Sequence, residues 1–282
     1  MTTVSTTRST TSDTRFAISA DGTRIAYDVT GPASGDARPV VVVEGALCQR
    51  SMGTARALTP LLSQDHAVHA YDRRGRGQSG PGVSPYTVDR EVEDLAAVLD
   101  AAGPDAVVVG ASSGAALVLE AARAGVPMRR IALYEVPFIV DDTHAPNDPD
   151  LGRRTRELVG SGRRGDAVKL FLRTVGVPPA VLAVMRVLPV WRKLAGVAHT
   201  LPHDYEIVLP HQQGRPLPDG CYAGVTAPAL VIAGGKSPTY MKNAQAAVVA
   251  RLPHGTLAEL PGQTHMVRGR ATVPVLREFF AG

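Results

Sequence analysis

Apolar and polar residues alternate near the start of the chain and then give way to continuous apolar runs. Arg15 to Ser19 and Arg24 to Thr30 alternate on either side of Asp21-Gly22, which predicts a β-hairpin. Val40 to Val43 is wholly apolar, the pattern of a strand that is buried on both faces. We therefore expect an antiparallel edge that leads into a parallel core.

Helical and strand patterns alternate beyond this point. The expected strands are His66 to Tyr71, Ala106 to Val109, Arg130 to Tyr134, Ala229 to Ala233 and Thr256 to Leu260. The expected helices lie near Thr54 to Ser63, Val88 to Ala102, Tyr240 to Arg251 and Val273 to Phe280. This order is typical of an α/β domain, with a mostly parallel central sheet and helices on both faces.

Residues 137–222 interrupt the alternation with an irregular helical stretch punctuated by Pro and Gly. Its expected helices are Leu151 to Val159, Asp166 to Val175, Ala180 to Val187 and Trp191 to His199. We predict a helical cap over these residues and a core formed by residues 14–136 and 223–282. Residues 1–13 are rich in Thr and Ser and lack the apolar segment of a signal peptide, so a disordered tail is expected.

Composition narrows the class of protein. The chain has 282 residues, a net charge of +4 and two cysteines, Cys48 and Cys221, without metal-ligand or disulfide spacing. We expect one large domain with an insertion, no metal or other cofactor, and a cytoplasmic location. Basic clusters at Arg73 to Arg76, Arg153-Arg154 and Arg163-Arg164 are interpreted as solvated surface charge, which argues against a nucleic-acid partner. No apolar run is long enough to span a membrane, so no membrane partner is expected, and monomer and homodimer both stay open.

A serine lies between glycines where a predicted strand turns into a predicted helix. Gly110-Ala111-Ser112-Ser113-Gly114 follows the apolar run that ends at Val109 and precedes an alanine-rich helical segment. A serine at such a sharp turn needs a positive φ, and side chains two residues away on either side would collide unless they were hydrogen. The pattern predicts a nucleophile elbow and hence a covalent hydrolase.

The order of these elements, with a cap and a late histidine, resembles the α/β-hydrolase family over roughly Phe16 to Phe280. The resemblance also rests on Tyr71-Asp72-Arg73-Arg74-Gly75-Arg76-Gly77-Gln78-Ser79 and on Gly262-Gln263-Thr264-His265. Together with Leu133-Tyr134-Glu135 and Gly234-Gly235-Lys236-Ser237-Pro238, these motifs look most like bacterial, actinomycete-type capped serine hydrolases of unassigned substrate. The resemblance implies an α/β-hydrolase fold with catalytic residues in the order Ser, acid, His.

The chemistry of Ser112 requires a base and an acid. A serine hydroxyl is a poor nucleophile until an imidazole accepts its proton, and a carboxylate must orient that imidazole. His265 follows the last predicted strand and is the expected base. Ser237 stands where the family usually has the acid, so we predict that Glu135, at the end of the strand after the elbow helix, takes this role. Asp141 and Asp142 are the alternatives.

The remaining site residues follow from the loops around the elbow. The backbone amides of Ala46 and Ser113 are the expected oxyanion donors. Glu44 replaces the histidine that many relatives have. It is interpreted as a buried carboxylate, as an ion-pair partner of Arg73 or Arg74, or as part of altered chemistry, and the ion pair is favoured. The predicted substrate-binding residues are Glu44, Leu47, Cys48, Phe138, Met185, Trp191, His203 and Met266.

The leading hypothesis is a cofactor-independent serine hydrolase that forms an acyl-enzyme on Ser112. Its expected substrate is an ester, thioester or lactone of a hydrophobic small molecule. An alternative is a cyclase, lyase or dehydratase of secondary metabolism, in which His265 or Glu135 shuttles protons in the same pocket. A non-catalytic ligand-binding protein is disfavoured because Ser112 and His265 are both present in the expected order.

Overall fold

The computed structural model describes residues 13–32 and 38–282, and the predicted tail lies outside them except for Asp13. In these residues the strands form an eight-stranded sheet in the order β1-β2-β4-β3-β5-β6-β7-β8. The strands are β1 (Arg15–Ile18), β2 (Arg24–Thr30), β3 (Pro39–Val43), β4 (Ala67–Tyr71), β5 (Val107–Ala111), β6 (Arg130–Tyr134), β7 (Ala229–Gly234) and β8 (Gly255–Leu260). Strand β2 pairs antiparallel with β1 and β4, and the pairs from β4 through β8 are parallel. The predicted fold class is confirmed.

The helices are α1 (Gly53–Leu62), α2 (Val88–Ala102), α3 (Ser113–Arg123), α4 (Leu151–Gly160), α5 (Arg164–Thr174), α6 (Pro179–Met185), α7 (Pro189–Val197), α8 (Leu201–Val208), α9 (Thr239–Val249) and α10 (Gly269–Ala281). Helices α1 and α10 pack on one face of the sheet, through a cluster that includes Leu58, Phe280 and Val42. Helices α2, α3 and α9 pack on the other face. Because successive strand residues point to opposite faces, strands covered on both sides need apolar residues at every position.

Helices α4 to α8 form the segment between β6 and β7, where the sequence predicts four helices. The fifth, α8, was not predicted as a separate helix, and it contains the polar stretch around His203. Pro202 stands in its first turn, where a proline costs no hydrogen bond and its fixed φ suits helix initiation. Helix α10 also begins four residues earlier than the predicted Val273.

The loop after β3 lies beneath these helices. Leu47 is 3% exposed and forms a cluster with Ala167, Val168, Val197, Ala198 and Leu201. An apolar contact of this kind fixes the position of the loop relative to α5 and to the residues around α7. None of the helices within residues 13–32 and 38–282 is long and apolar enough to cross a membrane.

Candidate active site

Ser112 occupies a strained turn at the end of β5. Its φ is 55° and its ψ is −129°, and α3 begins at the next residue. A Cβ atom on Gly110 would stand 2.7 Å from the carbonyl oxygen of Gly114, and one on Gly114 would stand 2.6 Å from that of Glu44. The glycines are therefore required by the main chain on either side of the serine, as the motif predicts.

Backbone strain concentrates at one edge of the sheet. Among the described non-glycine residues, positive φ occurs at Leu47 (60°), Ser112 (55°) and Glu135 (47°). Leu47 lies in the loop after β3, Ser112 follows β5 and Glu135 follows β6, all at the carboxyl ends of neighbouring parallel strands. Such residues cost of order 1–3 kcal/mol each and cluster at functional sites, so this edge is the candidate active site.

Glu135 and His265 form a hydrogen-bonded pair at this edge. Nδ1 of His265 donates to Oε2 of Glu135 at 2.9 Å, and the amide of Gly234 donates to Oε1 at 2.7 Å. The Glu135 side chain is fully buried, whereas that of His265 is 44% exposed. Burial raises the pKa of Glu135, but the hydrogen bonds from His265, Ser237 and Gly234 outweigh it and hold the pKa below its ordinary value. The carboxylate therefore stays ionised at neutral pH.

The other candidate acid positions have different partners. Ser237 Oγ is buried beside this carboxylate without a hydrogen bond of full geometry, and after His265 it contributes most to lowering the pKa of Glu135. Asp141 accepts hydrogen bonds from the Thr143 backbone and side chain and from Asn243. Of the candidate acids Glu135 and Asp141 and the serine at position 237, Glu135 is the one that accepts a hydrogen bond from the His265 imidazole.

The loop after β3 passes close to the elbow. A Cβ atom on Gly45 would lie 3.1 Å from both Ser112 Cβ and the carbonyl oxygen of Ala111, so a glycine allows this approach. Ala46 follows directly. Ser113 is the first residue of α3, where an amide has no partner within the helix.

The expected ion pair of Glu44 with Arg73 or Arg74 is wrong. The buried carboxylate instead accepts hydrogen bonds from the amides of Thr54 (3.0 Å) and Ala55 (2.6 Å) in the first turn of α1. Arg73 reaches only the main-chain oxygen of Glu44, at 3.3 Å. A helix N-terminus stabilises a carboxylate without a cation, yet burial still raises the pKa of Glu44 to about 7.

The interpretation of Arg73, Arg74 and Arg76 as solvated surface charge is also wrong. Each residue is 1% exposed. Arg73 pairs with Glu91 at 2.6 Å and with Asp204 at 2.7 Å, while Arg76 pairs with the same Asp204 at 2.8 Å. Arg74 pairs with Asp94 and Asp21. The clusters Arg153-Arg154 and Arg163-Arg164 are exposed, as predicted.

The sequence did not identify Asp204 as the partner of two of these arginines. The residue lies in α8, 131 positions from Arg73 and 91 from Ser113, whose hydroxyl donates to it at 2.8 Å. A run of three arginines next to glycines was the available signal. Such a run predicts buried arginines only if the carboxylates that pair with them, which lie far away in the sequence, are already known.

The predicted substrate-binding residues occupy different environments. Phe138 is 1% exposed and packs on His211 with ring centroids 4.5 Å apart, which leaves almost no surface for a substrate. His203 stacks on Tyr86 at 3.8 Å, and burial lowers its pKa to about 4. Met266 is 69% exposed, beside His265.

The other three predicted residues are Met185, Trp191 and Cys48. Met185 ends α6, and Trp191 lies in α7 against Gly165. Burial, and next Glu44, raise the pKa of the Cys48 thiol to about 12, so this thiol does not compete as a nucleophile. Among the described residues, no group of His, Cys, Asp and Glu is arranged to hold a metal ion.

Comparison with known families decides the identity of this fold. The model of the Alpha/beta hydrolase family matches residues 48–276, which is most of the chain. The chain belongs to the alpha/beta hydrolase family. The expectation drawn from the elbow and the motifs around it is thereby confirmed at the level of family.

Solved structures of other hydrolases resemble this alpha/beta hydrolase. One from Sphaerobacter thermophilus is 42% identical, with 94% of this chain and 100% of that chain covered and a TM-score of 0.85. An enol-lactonase from Burkholderia xenovorans is 22% identical, with coverage of 95% and 100% and a TM-score of 0.69. An esterase from a Rhodococcus species is 21% identical, with coverage of 95% and 98% and a TM-score of 0.65. The last two show a shared fold. No curated protein matches.

Proposed function

We propose that this alpha/beta hydrolase is a cofactor-independent serine hydrolase with Ser112 as nucleophile, His265 as base and Glu135 as acid. The observation that carries the proposal is the hydrogen bond from His265 to a buried, ionised Glu135 at the same sheet edge as the strained Ser112. Because Nδ1 donates to the carboxylate, Nε2 is the nitrogen left to accept a proton.

In the proposed acylation step, Ser112 Oγ attacks the substrate carbonyl carbon and gives its proton to Nε2 of His265. The carbonyl oxygen becomes an oxyanion, which the amides of Ala46 and Ser113 stabilise. The tetrahedral intermediate collapses, the bond to the leaving oxygen or sulfur breaks, and His265 returns the proton to that leaving group. Glu135 stabilises the transient imidazolium.

In the proposed deacylation step, a water molecule gives its proton to His265 and attacks the acyl-enzyme. Collapse of the second intermediate releases a carboxylic acid and returns the proton to Ser112. The proposed substrates are esters, thioesters or lactones of a hydrophobic small molecule. The lactonase and the esterase above share this fold and guide which substrate classes are tested first.

A fluorophosphonate probe tests the nucleophile directly, because it reacts with activated serines. We expect stoichiometric labelling of the wild type, with the adduct on Ser112 by peptide mass spectrometry, and none in Ser112→Ala. Hydrolysis of p-nitrophenyl butyrate should fall by at least about 10³-fold in Ser112→Ala, within the range that loss of a triad serine gives. A Ser112→Ala enzyme that hydrolyses p-nitrophenyl butyrate at the wild-type rate would overturn the acyl-enzyme mechanism.

A further inference from the structure

We infer that Asp204, a residue of α8 outside the proposed triad, is a positioning residue that holds both halves of the proposed oxyanion hole. The inference rests on the proposed function, since it concerns the two amides to which that mechanism gives the oxyanion. Asp204 is 2% exposed and contacts the elbow on one side and two buried arginines on the other. Each contact leads to one of the two proposed donors.

The first half is the elbow itself. Oδ1 of Asp204 accepts a hydrogen bond from the hydroxyl of Ser113 at 2.8 Å. Ser113 follows the nucleophile, and its own amide is the first proposed donor. The contact therefore fixes the side chain of the residue whose backbone N–H must point at the oxyanion.

The second half is the loop after β3, which Asp204 reaches through two guanidinium groups. Arg76 is held by Oδ2 of Asp204 at 2.8 Å and donates to the carbonyl oxygens of Gly45 (2.6 Å) and Cys48 (3.1 Å). Arg73 is held by Oδ1 at 2.7 Å and donates to the carbonyl oxygen of Glu44 at 3.3 Å. These carbonyls stand on both sides of Ala46, the second proposed donor.

Burial gives this arrangement its rigidity. The side chains of Arg73, Arg76 and Asp204 are at most 3% exposed, so water does not replace a lost partner. Charge-assisted hydrogen bonds in such surroundings are short and stronger than neutral ones. An error of about 1 Å in the placement of a catalytic group can cost about 10²-fold in rate, so the anchoring bears on turnover.

The loop after β4, which carries Arg73 and Arg76, also carries Arg74, and the buried ion pair of Arg74 lacks these contacts. Arg74 binds both oxygens of Asp94 at 2.7 Å, and both residues are 1% exposed. Its other partners are Asp21 and the carbonyl oxygen of Arg90, not the loop after β3. Removal of the Asp94 charge therefore disturbs a buried ion pair of the same type and leaves the proposed donors in place.

The experiment compares Asp204→Asn, Ser113→Ala and Asp94→Asn with the wild type. For each protein, kcat and KM for p-nitrophenyl butyrate, the rate of fluorophosphonate labelling and the thermal unfolding temperature are measured. We expect kcat to fall about 10- to 100-fold in Asp204→Asn, less than the 10²- to 10³-fold loss from deleting a donor, with KM within about threefold. Ser113→Ala keeps both arginine pairs and should lose about three- to tenfold in kcat, because its amide is displaced only slightly. Labelling should slow in parallel, since the phosphonate oxygen occupies the oxyanion position.

Asp94→Asn should lower the unfolding temperature without lowering kcat. Equal losses of kcat in Asp94→Asn and Asp204→Asn would overturn the inference, because loss of any buried ion pair would then lower kcat, whether or not it contacts the proposed donors. If Asp204→Asn does not fold, wild-type kcat and labelling in Ser113→Ala overturn it. A wild type that the probe does not label at Ser112 refutes the proposed function itself, whereas a labelled wild type with unaffected Asp204→Asn and Ser113→Ala variants refutes only this inference.

Discussion

Glu135 combines three properties that a single residue seldom has together. It is fully buried, its φ is 47°, and its carboxylate accepts hydrogen bonds from His265 and from the Gly234 amide. A buried carboxylate without such partners would take up a proton, whereas this one stays charged because its hydrogen bonds favour the ionised form. The charge is what would stabilise an imidazolium during turnover.

Glu135→Gln removes the charge and keeps the shape. We expect kcat for p-nitrophenyl butyrate to fall about 10²- to 10⁴-fold, because an amide can hold His265 in the wrong tautomer and cannot offset the imidazolium. Steady-state kinetics at pH 7.5 measure the loss. Ser237→Ala is the matched control and should keep kcat within about threefold, since its hydroxyl only supports the carboxylate. Equal activity of Glu135→Gln and the wild type would remove Glu135 from the triad.

Glu44 and Glu135 change the free energy of unfolding with pH in opposite directions, because folding raises the pKa of Glu44 and lowers that of Glu135. Burial raises the pKa of Glu44 from 4.5 to about 7 in the folded chain, so between these values the unfolded chain loses the proton first. Relative to Glu44→Gln, the wild type should therefore lose roughly 2–3 kcal/mol of unfolding free energy as pH rises from 4.5 to 7.5, and no more above that. Urea unfolding across this range measures the difference.

The control for this pH dependence is Glu259→Gln. The Glu259 side chain is 54% exposed, so its charge is solvated in both the folded and the unfolded chain. Its difference from the wild type should stay flat over the same range. A flat difference for Glu44→Gln would mean that the amides of α1 stabilise the charged form as well as water does.

At the scale of elements, periodicity predicted most strands and helices because their covering is local in sequence. The run Val40 to Val43 is apolar because helices cover both faces, and Gly110 and Gly114 are glycines because the main chain is adjacent to them. The burial of Arg73 and Arg76 and their ion pairs with Asp204 could not be predicted from periodicity. Their partner Asp204 lies 131 and 128 residues away in α8, which itself was not predicted.

The turn from β5 into α3 should tolerate no side chain at Gly114. A Cβ atom there would collide with the main-chain oxygens of Val43 and Glu44, which belong to the neighbouring strand and its loop and have no room to move. We expect Gly114→Ala to lower the unfolding free energy by at least about 2 kcal/mol, the cost of overpacking a rigid site, and to reduce kcat. Chemical denaturation and steady-state kinetics measure the two effects.

Gly196→Ala is the control in a helix. Beyond the main chain of its own helix and its two chain neighbours, no atom lies within 4 Å of a Cβ at Gly196, near the end of α7, so alanine should be neutral or stabilise by up to about 1 kcal/mol through helix propensity. A stable, fully active Gly114→Ala enzyme would mean that β3 and α3 can separate at no cost.

At the scale of the molecule, two kinds of contact join the segment α4 to α8 to the sheet-bearing part of the chain. One is ionic, between Asp204 and the arginines of the loop after β4. The other is apolar, between Leu47 and residues of the segment α5 to α8 and between Ile207 and Val208 of α8 and the core cluster around α2 and α3. Buried ion pairs add specificity more than stability, so the apolar contact is expected to contribute most to the docking free energy.

The chain has one tryptophan, Trp191, and it lies in α7, so its fluorescence reports on the segment α4 to α8. Far-ultraviolet circular dichroism reports on all helices and strands. In the wild type we expect the two signals to give the same urea midpoint, because the segment α4 to α8 shares buried contacts with the rest of the chain and unfolds with it.

Leu47→Ala should separate the two signals. It removes a side chain that is 3% exposed and packed against the segment α5 to α8, at a cost of about 2–5 kcal/mol, so the fluorescence midpoint should fall below the dichroism midpoint. Leu58→Ala is the matched control, since Leu58 is equally buried between α1 and the sheet and should lower both midpoints together. Separate midpoints in the wild type would show that the segment α4 to α8 unfolds independently, and the contacts of Leu47 and Asp204 would then be too weak to hold it.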